Sequence, residues 1–470
     1  MSRLDDILLL LWLGLVFYGL VRLGIWSWRF AVATPATRRH FWLAFRVWWS
    51  WRRLTLALDL AKVRKESSRI SSRPTYGPGW FATTVGRSQT RRKVSYPKVR
   101  VRPDDFGVVL EVKTLPNVGR TEFEKAAEHL ANAWGCAKVQ VFQRKPGRLV
   151  VRAIRHDPLA VPLSMEQVPA TAYTSPHPFR PYLGRDEWGI DRWLDLSGIT
   201  GMTIAGLPRY GKTSLLLSLL MQMAGTRRVQ FVFLDGKGSG LNVGADYEEW
   251  TDRAWMASGD DLDRAEEILA RLCDHMAERG RVIRQVLGVK NGWHVGPSED
   301  WPLIVLVMDE CHTFFDEKQA GGDRKRRDQY ARLQAMAAQL VKKAGSVMML
   351  SIFITQKQTG DAIPTAIRDN CTVGLSFAVK TRDAAVAGLG EGIRDWPGLC
   401  PTGLKERPTY IGVCTAALPD GADAFIRLRI PNVPDDMAAA RAADVAQLVT
   451  DPDALLAALT VRAQPAPQPV

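Results

Sequence analysis

The first hydrophobic feature of the chain is an uncharged run from residue 7 to residue 21, ILLLLWLGLVFYGLV. Because about 20 apolar residues span a bilayer, this run predicts a membrane helix over residues 1–30 if the Arg22 side chain extends to the headgroups. A peripheral anchor is one alternative. A cleaved secretory signal is the other, since Ala31, Val32 and Ala33 are typical of a cleavage site, although the leading segment is net negative.

Apolar residues and arginines interleave in a second stretch, FWLAFRVWWSWRRLTLALDL, over residues 41–60. This pattern predicts that residues 31–65 form a basic, aromatic interfacial segment or a second membrane helix. The positive flanks place everything after residue 21 on the cytoplasmic side, which favours the interfacial segment. Residues 66–97 are rich in Ser, Arg, Pro and Gly, which is typical of a linker.

The pattern then changes to that of a small folded unit. Residues 106–113 alternate like a strand, residues 122–134 repeat with a helical period, and residues 139–142 and 148–154 resemble two further strands. We therefore predict a small α/β accessory domain over residues 98–180. It contains no catalytic constellation and is interpreted as an assembly or packing module.

Four short apolar runs follow, and helical patterns separate them. They occupy residues 202–205, 229–234, 303–308 and 348–354. Buried parallel strands produce such runs, so residues 181–435 are predicted to fold around one open α/β sheet. Ligands of these sheets bind at the carboxyl edge of the strands. Residues 436–470 are predicted to form a short helical segment and a disordered tail.

Charge is distributed unevenly along the chain. The 470 residues have a formal net charge of +14, and the first 100 residues contain 19 Lys and Arg against 4 Asp and Glu. Such a basic arm requires an anionic partner, either nucleic acid or anionic lipid. A hydrophobic content of 46% excludes a disordered tail protein. The six cysteines form no C-x-x-C pair, so we expect no disulfide and no structural metal.

A strand, a glycine-rich loop and a helix occur in succession after residue 201. The loop has the pattern G-x-x-x-x-G-K-T of a phosphate-binding P-loop. Its N–H groups would surround the phosphates, the Lys212 ammonium would reach the β- and γ-phosphates, and the Thr213 hydroxyl would bind Mg²⁺. The predicted nucleotide-binding residues are Gly206, Leu207, Pro208, Arg209, Tyr210, Gly211, Lys212, Thr213 and Ser214.

Two carboxylates end a later apolar strand, about one hundred residues after the P-loop. In P-loop NTPases an acid at this place holds Mg²⁺, and a neighbouring carboxylate polarises the attacking water. We assign the first role to Asp309 and the second to Glu310. Gln356 follows the next apolar strand, where a polar residue can sense the γ-phosphate, and it is predicted to be catalytic with Lys212 and Glu310.

These motifs make residues 98–435 resemble the FtsK/SpoIIIE/HerA motor ATPases, and most closely the FtsK-like transfer proteins of actinobacterial conjugative plasmids and integrative elements. Asp235-Gly-Lys237 stands where the family has Asp-Pro-Lys, and Thr355-Gln356-Lys357 matches its Ala-Thr-Gln-Arg-Pro. Further similar segments are residues 184–187, 276–279, 287–291, 363–370 and 382–390. The implied fold is a RecA-like P-loop motor domain with a small α/β accessory domain and an N-terminal membrane helix.

The resemblance implies an ATP- and Mg²⁺-dependent motor that pumps double-stranded DNA through a hexamer at the cell membrane, with its ATPase domain in the cytoplasm. Conjugative transfer is the expected role, and type VII protein secretion and chromosome segregation at division are the alternatives. No winged-helix pattern follows the motor, so we expect DNA to be held through its phosphates with little sequence preference. Candidate phosphate contacts are Lys237, Arg324, Lys325, Arg326 and Arg327.

Motors of this family complete each site with an arginine from the neighbouring subunit. That arginine precedes the sensor strand, where this chain has Lys342 and Lys343. Lysine cannot reproduce the planar, bidentate contact of a guanidinium. Arg368 and Arg382 are the alternatives, and the prediction favours Arg368.

Overall fold

The computed structural model describes residues 12–14, 16–17, 21, 24–25, 27–69, 88–116, 118–174, 179–356, 363–419 and 424–463. The chain divides into two compact units, Met1–Asp157 and Pro158–Val470. Within the described ranges, no helix is both long and apolar enough to cross a membrane. The membrane helix predicted over residues 1–30 lies largely outside these ranges.

The first unit contains a four-stranded antiparallel sheet with the strand order β3-β4-β6-β5. A separate antiparallel pair, β1 and β2, takes up both ends of the segment predicted as a linker, residues 66–97. The helices and strands of this unit are α1 (Pro35–Arg39), α2 (Phe41–Ala57), β1 (Lys62–Arg69), β2 (Ser88–Ser95), β3 (Lys98–Pro103), β4 (Gly107–Lys113), α3 (Arg120–Lys125), α4 (Ala127–Trp134), β5 (Lys138–Lys145) and β6 (Arg148–Ile154).

The helices of the first unit pack on one face of its sheet. Alternate residues of β4 and β6, among them Leu110 and Val151, are fully buried against Trp134 of α4 and against α2. Val47 and Trp51 of α2 belong to this core, and the Trp51 Nε1–H donates to the Pro97 carbonyl at 2.8 Å. The predicted strand and helix positions are therefore confirmed, and α2 covers the domain as an amphipathic helix.

The second unit contains the P-loop and the acidic strand. Its helices and strands are β7 (Leu163–Ser164), α5 (Thr171–Thr174), β8 (Tyr182–Asp186), β9 (Asp191–Trp193), β10 (Gly201–Ala205), α6 (Lys212–Met223), β11 (Val229–Asp235), β12 (Ala254–Ser258), α7 (Leu262–Leu287), β13 (Leu303–Asp309), α8 (His312–Phe315), α9 (Arg324–Lys343), β14 (Met349–Thr355), α10 (Thr365–Arg368), β15 (Val373–Ser376), α11 (Arg382–Leu389), β16 (Val413–Ala417), β17 (Ile426–Arg429), β18 (Pro431–Asn432), α12 (Asp435–Val445) and α13 (Pro452–Arg462).

A ten-stranded sheet forms the centre of this unit, in the order β12-β11-β13-β14-β10-β15-β16-β17-β8-β9. Neighbouring strands from β12 to β15 are parallel, and those from β15 to β9 are antiparallel. Every residue of β11, β13 and β14 is buried, as continuous apolar runs predict for strands covered on both faces. The predicted parallel α/β sheet is confirmed, and an antiparallel half extends it.

Candidate nucleotide-binding site

The P-loop leads from β10 directly into α6. The helix begins at Lys212, and Gly211 precedes it with φ 110°, a conformation that favours glycine. A Cβ on Gly211 would lie 3.1 Å from the Cα of Gly412 and 3.1 Å from Cε1 of Phe377, so a side chain would displace its neighbours. The loop therefore ends at the N-terminus of a twelve-residue helix, where unpaired N–H groups and the helix dipole favour phosphate.

The Lys212 side chain folds back into this loop. Its Nζ donates to the carbonyl oxygens of Gly206 at 2.9 Å and of Leu207 at 2.8 Å. Burial lowers the pKa of Lys212 to about 8, although the negative charges of Glu310 and Asp309 act in the opposite direction. Phosphate oxygens are stronger, charged acceptors than these two carbonyls, so the ammonium is placed to exchange them for a nucleotide.

The other predicted loop residues differ in their surroundings. Pro208 and Arg209 are exposed, and Arg209 has φ 64° although it is not glycine. Tyr210 is half-buried, and its carbonyl accepts a hydrogen bond from the Gly412 N–H at 3.1 Å. The Ser214 hydroxyl accepts from the Val433 N–H at 2.8 Å. Ser214 thus binds the backbone that follows β18, a contact that the nucleotide-binding prediction did not include.

The acidic strand tip is buried and fully hydrogen-bonded. Asp309 is 2% exposed, and its Oδ1 accepts from the Glu310 N–H at 2.8 Å. Its Oδ2 accepts from the Tyr247 hydroxyl at 2.8 Å and from the Lys237 Nζ at 3.1 Å. Burial, followed by the charge of Asp309, raises the pKa of Tyr247 well above its ordinary value. The phenol therefore stays protonated and fixes one carboxylate oxygen.

Glu310 occupies a strained position directly after β13. Its φ is 44°, a left-handed conformation that is rare for residues other than glycine. Its Oε2 accepts from the Gln356 N–H at 3.1 Å and lies 3.3 Å from the His312 Nδ1. Burial acts to raise the pKa of Glu310, but the His312 and Gln356 hydrogen bonds and the Lys237 charge outweigh it and lower the pKa. The carboxylate is therefore ionised at neutral pH.

Strand order brings the predicted sensor residue to the same place. β14 lies between β13 and β10, so the residue after β14 lies between the acidic tip and the P-loop. Gln356 is that residue, and its backbone N–H makes the contact with Glu310. The structure thus brings together Lys212, Asp309, Glu310 and the backbone of Gln356, as the sequence predicts.

Lys237 places a positive charge among these carboxylates. Its Nζ lies 3.1 Å from the Asp309 Oδ2, 3.3 Å from the Asp246 Oδ2 and 4.0 Å from the Glu310 Oε1. Burial lowers the pKa of Lys237, but the charges of Asp309, Asp246 and Glu310 outweigh it and raise the pKa above its ordinary value. Lys237 is therefore a permanent cation of the nucleotide site. That it contacts DNA phosphate stays a prediction.

Three residues of the site were missed by sequence reasoning: Asp246, Tyr247 and His312. Asp246 and Tyr247 lie in the connection after β11, and only the fold brings them to β13, where Tyr247 stacks on Phe233 with ring centroids 5.7 Å apart. No spacing in the sequence signals this contact. His312 is only two residues after Glu310. A titratable side chain so close in sequence to the proposed base could have predicted this contact.

The oxygen atoms of this cluster suit Mg²⁺. The Thr213 Oγ1 lies 3.5 Å from the Asp246 Oδ2, and the Asp246 and Asp309 carboxylates both contact the Lys237 ammonium. Carboxylate and hydroxyl oxygens are the ligands that this hard cation prefers, and it usually takes only one or two carboxylates from the protein. The residues present therefore fit the predicted metal site at Thr213 and Asp309.

The basic residues predicted for the subunit boundary and for DNA lie elsewhere. Arg368 ends α10; its side chain is 13% exposed and its Nε lies 3.4 Å from the Asp369 Oδ1. Exposed side chains include Arg382 at the start of α11, Lys342 and Lys343 at the end of α9, and residues 324–327 in the first turn of α9. The roles of all these residues depend on a second subunit or on DNA and stay predictions.

A buried arginine fixes the backbone segment that packs against the P-loop. Arg429 of β17 is 4% exposed, and its Nε donates to the Leu159 carbonyl at 2.8 Å. Its terminal nitrogens donate to the carbonyls of Leu159, Thr409 and Ile411. The segment that it holds ends at Gly412, which packs against Gly211. One guanidinium therefore fixes the backbone on which the P-loop rests.

Comparison with known proteins identifies this site. Residues 163–350 match the model of the FtsK/SpoIIIE family, a segment that begins at β7 and includes the P-loop, Lys237 and the acidic tip. This match confirms the predicted resemblance to the FtsK/SpoIIIE family for these residues, and it supports a P-loop ATPase with an ATP site. Comparison with curated proteins gives no match.

Solved structures extend the similarity of fold beyond the FtsK/SpoIIIE domain. The pCW3 conjugation coupling protein TcpA, in monomer form with ATPgS, matches with a TM-score of 0.52 and 17% identity, over 75% of this chain and 94% of that chain. The cytoplasmic domain of the type VII secretion ATPase EccC from Thermomonospora curvata matches with a TM-score of 0.45 and 14% identity, over 61% of this chain and 34% of that chain. ATPases 2 and 3 of EssC from Geobacillus thermodenitrificans give 0.42 and 12%, over 62% and 50%.

Proposed function

We propose that this protein is a membrane-anchored, ATP-driven translocase of double-stranded DNA that acts as a hexamer in the conjugative transfer of a plasmid or integrative element. The observation that carries the proposal is an FtsK/SpoIIIE-type nucleotide site within a fold that extends over 94% of a conjugation coupling protein. The hexamer rests on the resemblance of the sequence to ring-forming motors.

Hydrolysis requires a water oxygen to bond to the γ-phosphorus while the bond from that phosphorus to the β–γ bridging oxygen breaks. Glu310 is ionised, and Gln356 and His312 orient it, so it can accept the hydrogen bond and then the proton of that water. Lys212 supplies positive charge to the phosphates. Mg²⁺ held by Thr213 and Asp309 would supply further charge neutralisation. ADP and inorganic phosphate are the products.

The outer face of α2 supports attachment to a membrane. Trp42, Trp48 and Trp49 are 68%, 55% and 75% exposed, whereas Val47 and Trp51 of the same helix are buried in the accessory domain. Exposed aromatics beside arginines are typical of a helix that lies in a lipid interface. Replacing the three exposed tryptophans by Ser should weaken co-sedimentation with phosphatidylserine vesicles. Unchanged binding would exclude α2 as a lipid contact.

Protein cargo is the alternative that the comparisons leave open, since type VII secretion ATPases share the fold class. The similarity of fold to a conjugation coupling protein over 94% of that chain supports DNA as the cargo. Chromosome segregation is the other role that the family resemblance leaves open.

The test is the ATPase rate of the full chain in detergent, with and without duplex DNA, across a salt series. Stimulation by any duplex sequence, fading as salt rises, is expected of a motor that contacts phosphates. Heparin serves as the control polyanion, and Lys212→Ala gives the background rate. Basal turnover that does not respond to duplex DNA would overturn the DNA motor and favour protein cargo.

A further inference from the structure

Four cations form one row across the accessory-domain sheet. In the strand register, Lys98 of β3 pairs with Lys113 of β4, Lys113 with Arg148 of β6, and Arg148 with Lys145 of β5. All four residues are exposed. We call this set, Lys98, Lys113, Arg148 and Lys145, the cationic row.

The cationic row is unfavourable for the fold itself. Like charges directly opposite each other on neighbouring strands destabilise a sheet. Other cations of this domain have acidic partners: Arg102 lies 3.5 Å from Glu111, and Arg152 lies 2.5 Å from Asp104. Within the described residues, no carboxylate lies within ion-pair distance of any member of the row. Among the described residues, the positive charge of the row is therefore not balanced within the domain.

The shape of this end of the sheet suits a polyanion. A groove of about 480 Å³ is lined by all four members of the row. The next register positions on the same face hold Arg100, Glu111 and Val150, so a cation opposite a carboxylate borders the cationic row, and the row itself is the continuous line of positive charge. Three strand spacings of about 4.8 Å make the row roughly 14 Å long, close to four base-pair steps of a duplex at about 3.4 Å each.

We propose that the cationic row is a second DNA contact of this protein, outside the motor domain, which binds the phosphate backbone of the duplex. The inference rests on the proposed function and deepens it. A single line of charges fits a backbone better than a planar lipid surface, and the exposed aromatics that suit lipid lie on α2. Backbone contacts carry no base information, so binding at the row is independent of sequence.

The test compares duplex binding by the full chain and by the variant Lys98→Gln, Lys113→Gln, Lys145→Gln, Arg148→Gln. Fluorescence anisotropy with a labelled 30-base-pair duplex is measured across a salt series. Neutralising the row should lower the affinity at low salt at least tenfold and reduce the salt slope of log K by up to about 4, since each phosphate contact contributes about 0.9. DNA-free ATPase activity should not change, because no row residue belongs to the nucleotide site.

The matched control keeps the charge and changes the residues: Lys98→Arg, Lys113→Arg, Lys145→Arg, Arg148→Lys. It should bind duplex within about twofold of the parent, because contact with phosphate at the row depends mainly on charge. A neutral variant with the affinity and salt slope of the parent would overturn the proposal. So would an unchanged duplex affinity together with lost binding to phosphatidylserine vesicles, which would assign the row to lipid. A parent chain that binds no duplex would instead refute the proposed function.

Discussion

Lys237 and the cationic row place positive charge at the ends of two different sheets, in opposite arrangements. Lys237 is surrounded by Asp309, Asp246 and Glu310, and its charge is balanced within the motor domain. The row consists of cations in direct register, and no described carboxylate balances them. The first arrangement is balanced by carboxylates of the protein, whereas the second has no balancing carboxylate among the described residues.

The difference indicates which kind of ligand each region receives. The balanced cluster suits a small ligand that carries both positive and negative charge, as a nucleotide with its metal does. On binding, the carboxylates can exchange the Lys237 ammonium for the metal, and the ammonium can contact the phosphates instead. An unbalanced exposed row gains most from a ligand that is itself a line of negative charge.

Replacing the proposed base, Glu310, should change the rate of ATP hydrolysis more than any other substitution in the balanced cluster except the loss of Lys212. Glu310→Gln should lower the hydrolysis rate by about 10²- to 10⁴-fold, because an amide cannot accept a proton from water. ATP should still bind, as fluorescent-nucleotide titration would show. Lys212→Ala is the comparison, since it should abolish hydrolysis by removing the charge inside the loop. Hydrolysis at the parent rate by either variant would make the site assignment wrong.

The pH dependence of ATP affinity should follow the loss of the proton from the Lys212 ammonium. Its pKa of about 8 means that the charged form, which binds phosphate, predominates below pH 8 and is lost as the pH rises through that value. Affinity should therefore fall about tenfold between pH 7 and pH 9. Lys237 has a raised pKa and Glu310 a lowered one, so both keep their charge in this window. Lys212→Ala should show a flat profile, and a similar slope in that variant would assign the titration elsewhere.

Without the Lys237 ammonium, the repulsion between the Asp309, Asp246 and Glu310 carboxylates should destabilise the fold. Lys237→Met should lower the melting temperature by a few degrees in the absence of divalent ions, because three carboxylates would lose their shared partner. Millimolar Mg²⁺ alone should restore most of the loss, since it binds the same oxygens. Lys290→Met, at an exposed position, is the control. Equal melting curves for the two variants would mean that Lys237 does not balance the cluster.

Neutralising the cationic row should have the smallest effect on the melting temperature. Any change should be an increase, whereas Lys237→Met should cause a decrease. Neutralising the four cations to Gln removes repulsion between directly opposed strands, where each pair costs roughly 0.2–1 kcal/mol. The accessory domain should therefore melt at the same temperature or slightly higher, as followed by differential scanning calorimetry. The charge-conserving variant should match the parent. A lower melting temperature for the neutral variant would show that the row is balanced within the protein.

The parts of the site that the sequence predicts are those whose chemistry is local. Gly211, Lys212 and Thr213 are consecutive, and Asp309 and Glu310 end an apolar strand, so strand and loop patterns suffice to place them. Seven strands also follow from their alternating or continuous apolar patterns. Tyr247 and Asp246 could not be predicted, because the long connection after β11 determines where they lie relative to Asp309.

The cationic row shows the same limit more clearly. Lys98 and Lys113 are fifteen residues apart in the sequence, and only the pairing of four strands brings them into one line with Arg148 and Lys145. A net charge cannot reveal this, since the sign of a region does not show which of its cations face one another. Register is a property of the folded sheet, and a shift by one residue would move the row to the other face.

Arg429 connects two parts of the P-loop domain that are far apart in the sequence. Its guanidinium joins Leu159, two residues after the first unit ends, to the segment from Thr409 to Ile411 that leads to the P-loop support at Gly412. Through this one guanidinium, the position of the P-loop depends on the segment that begins the second unit.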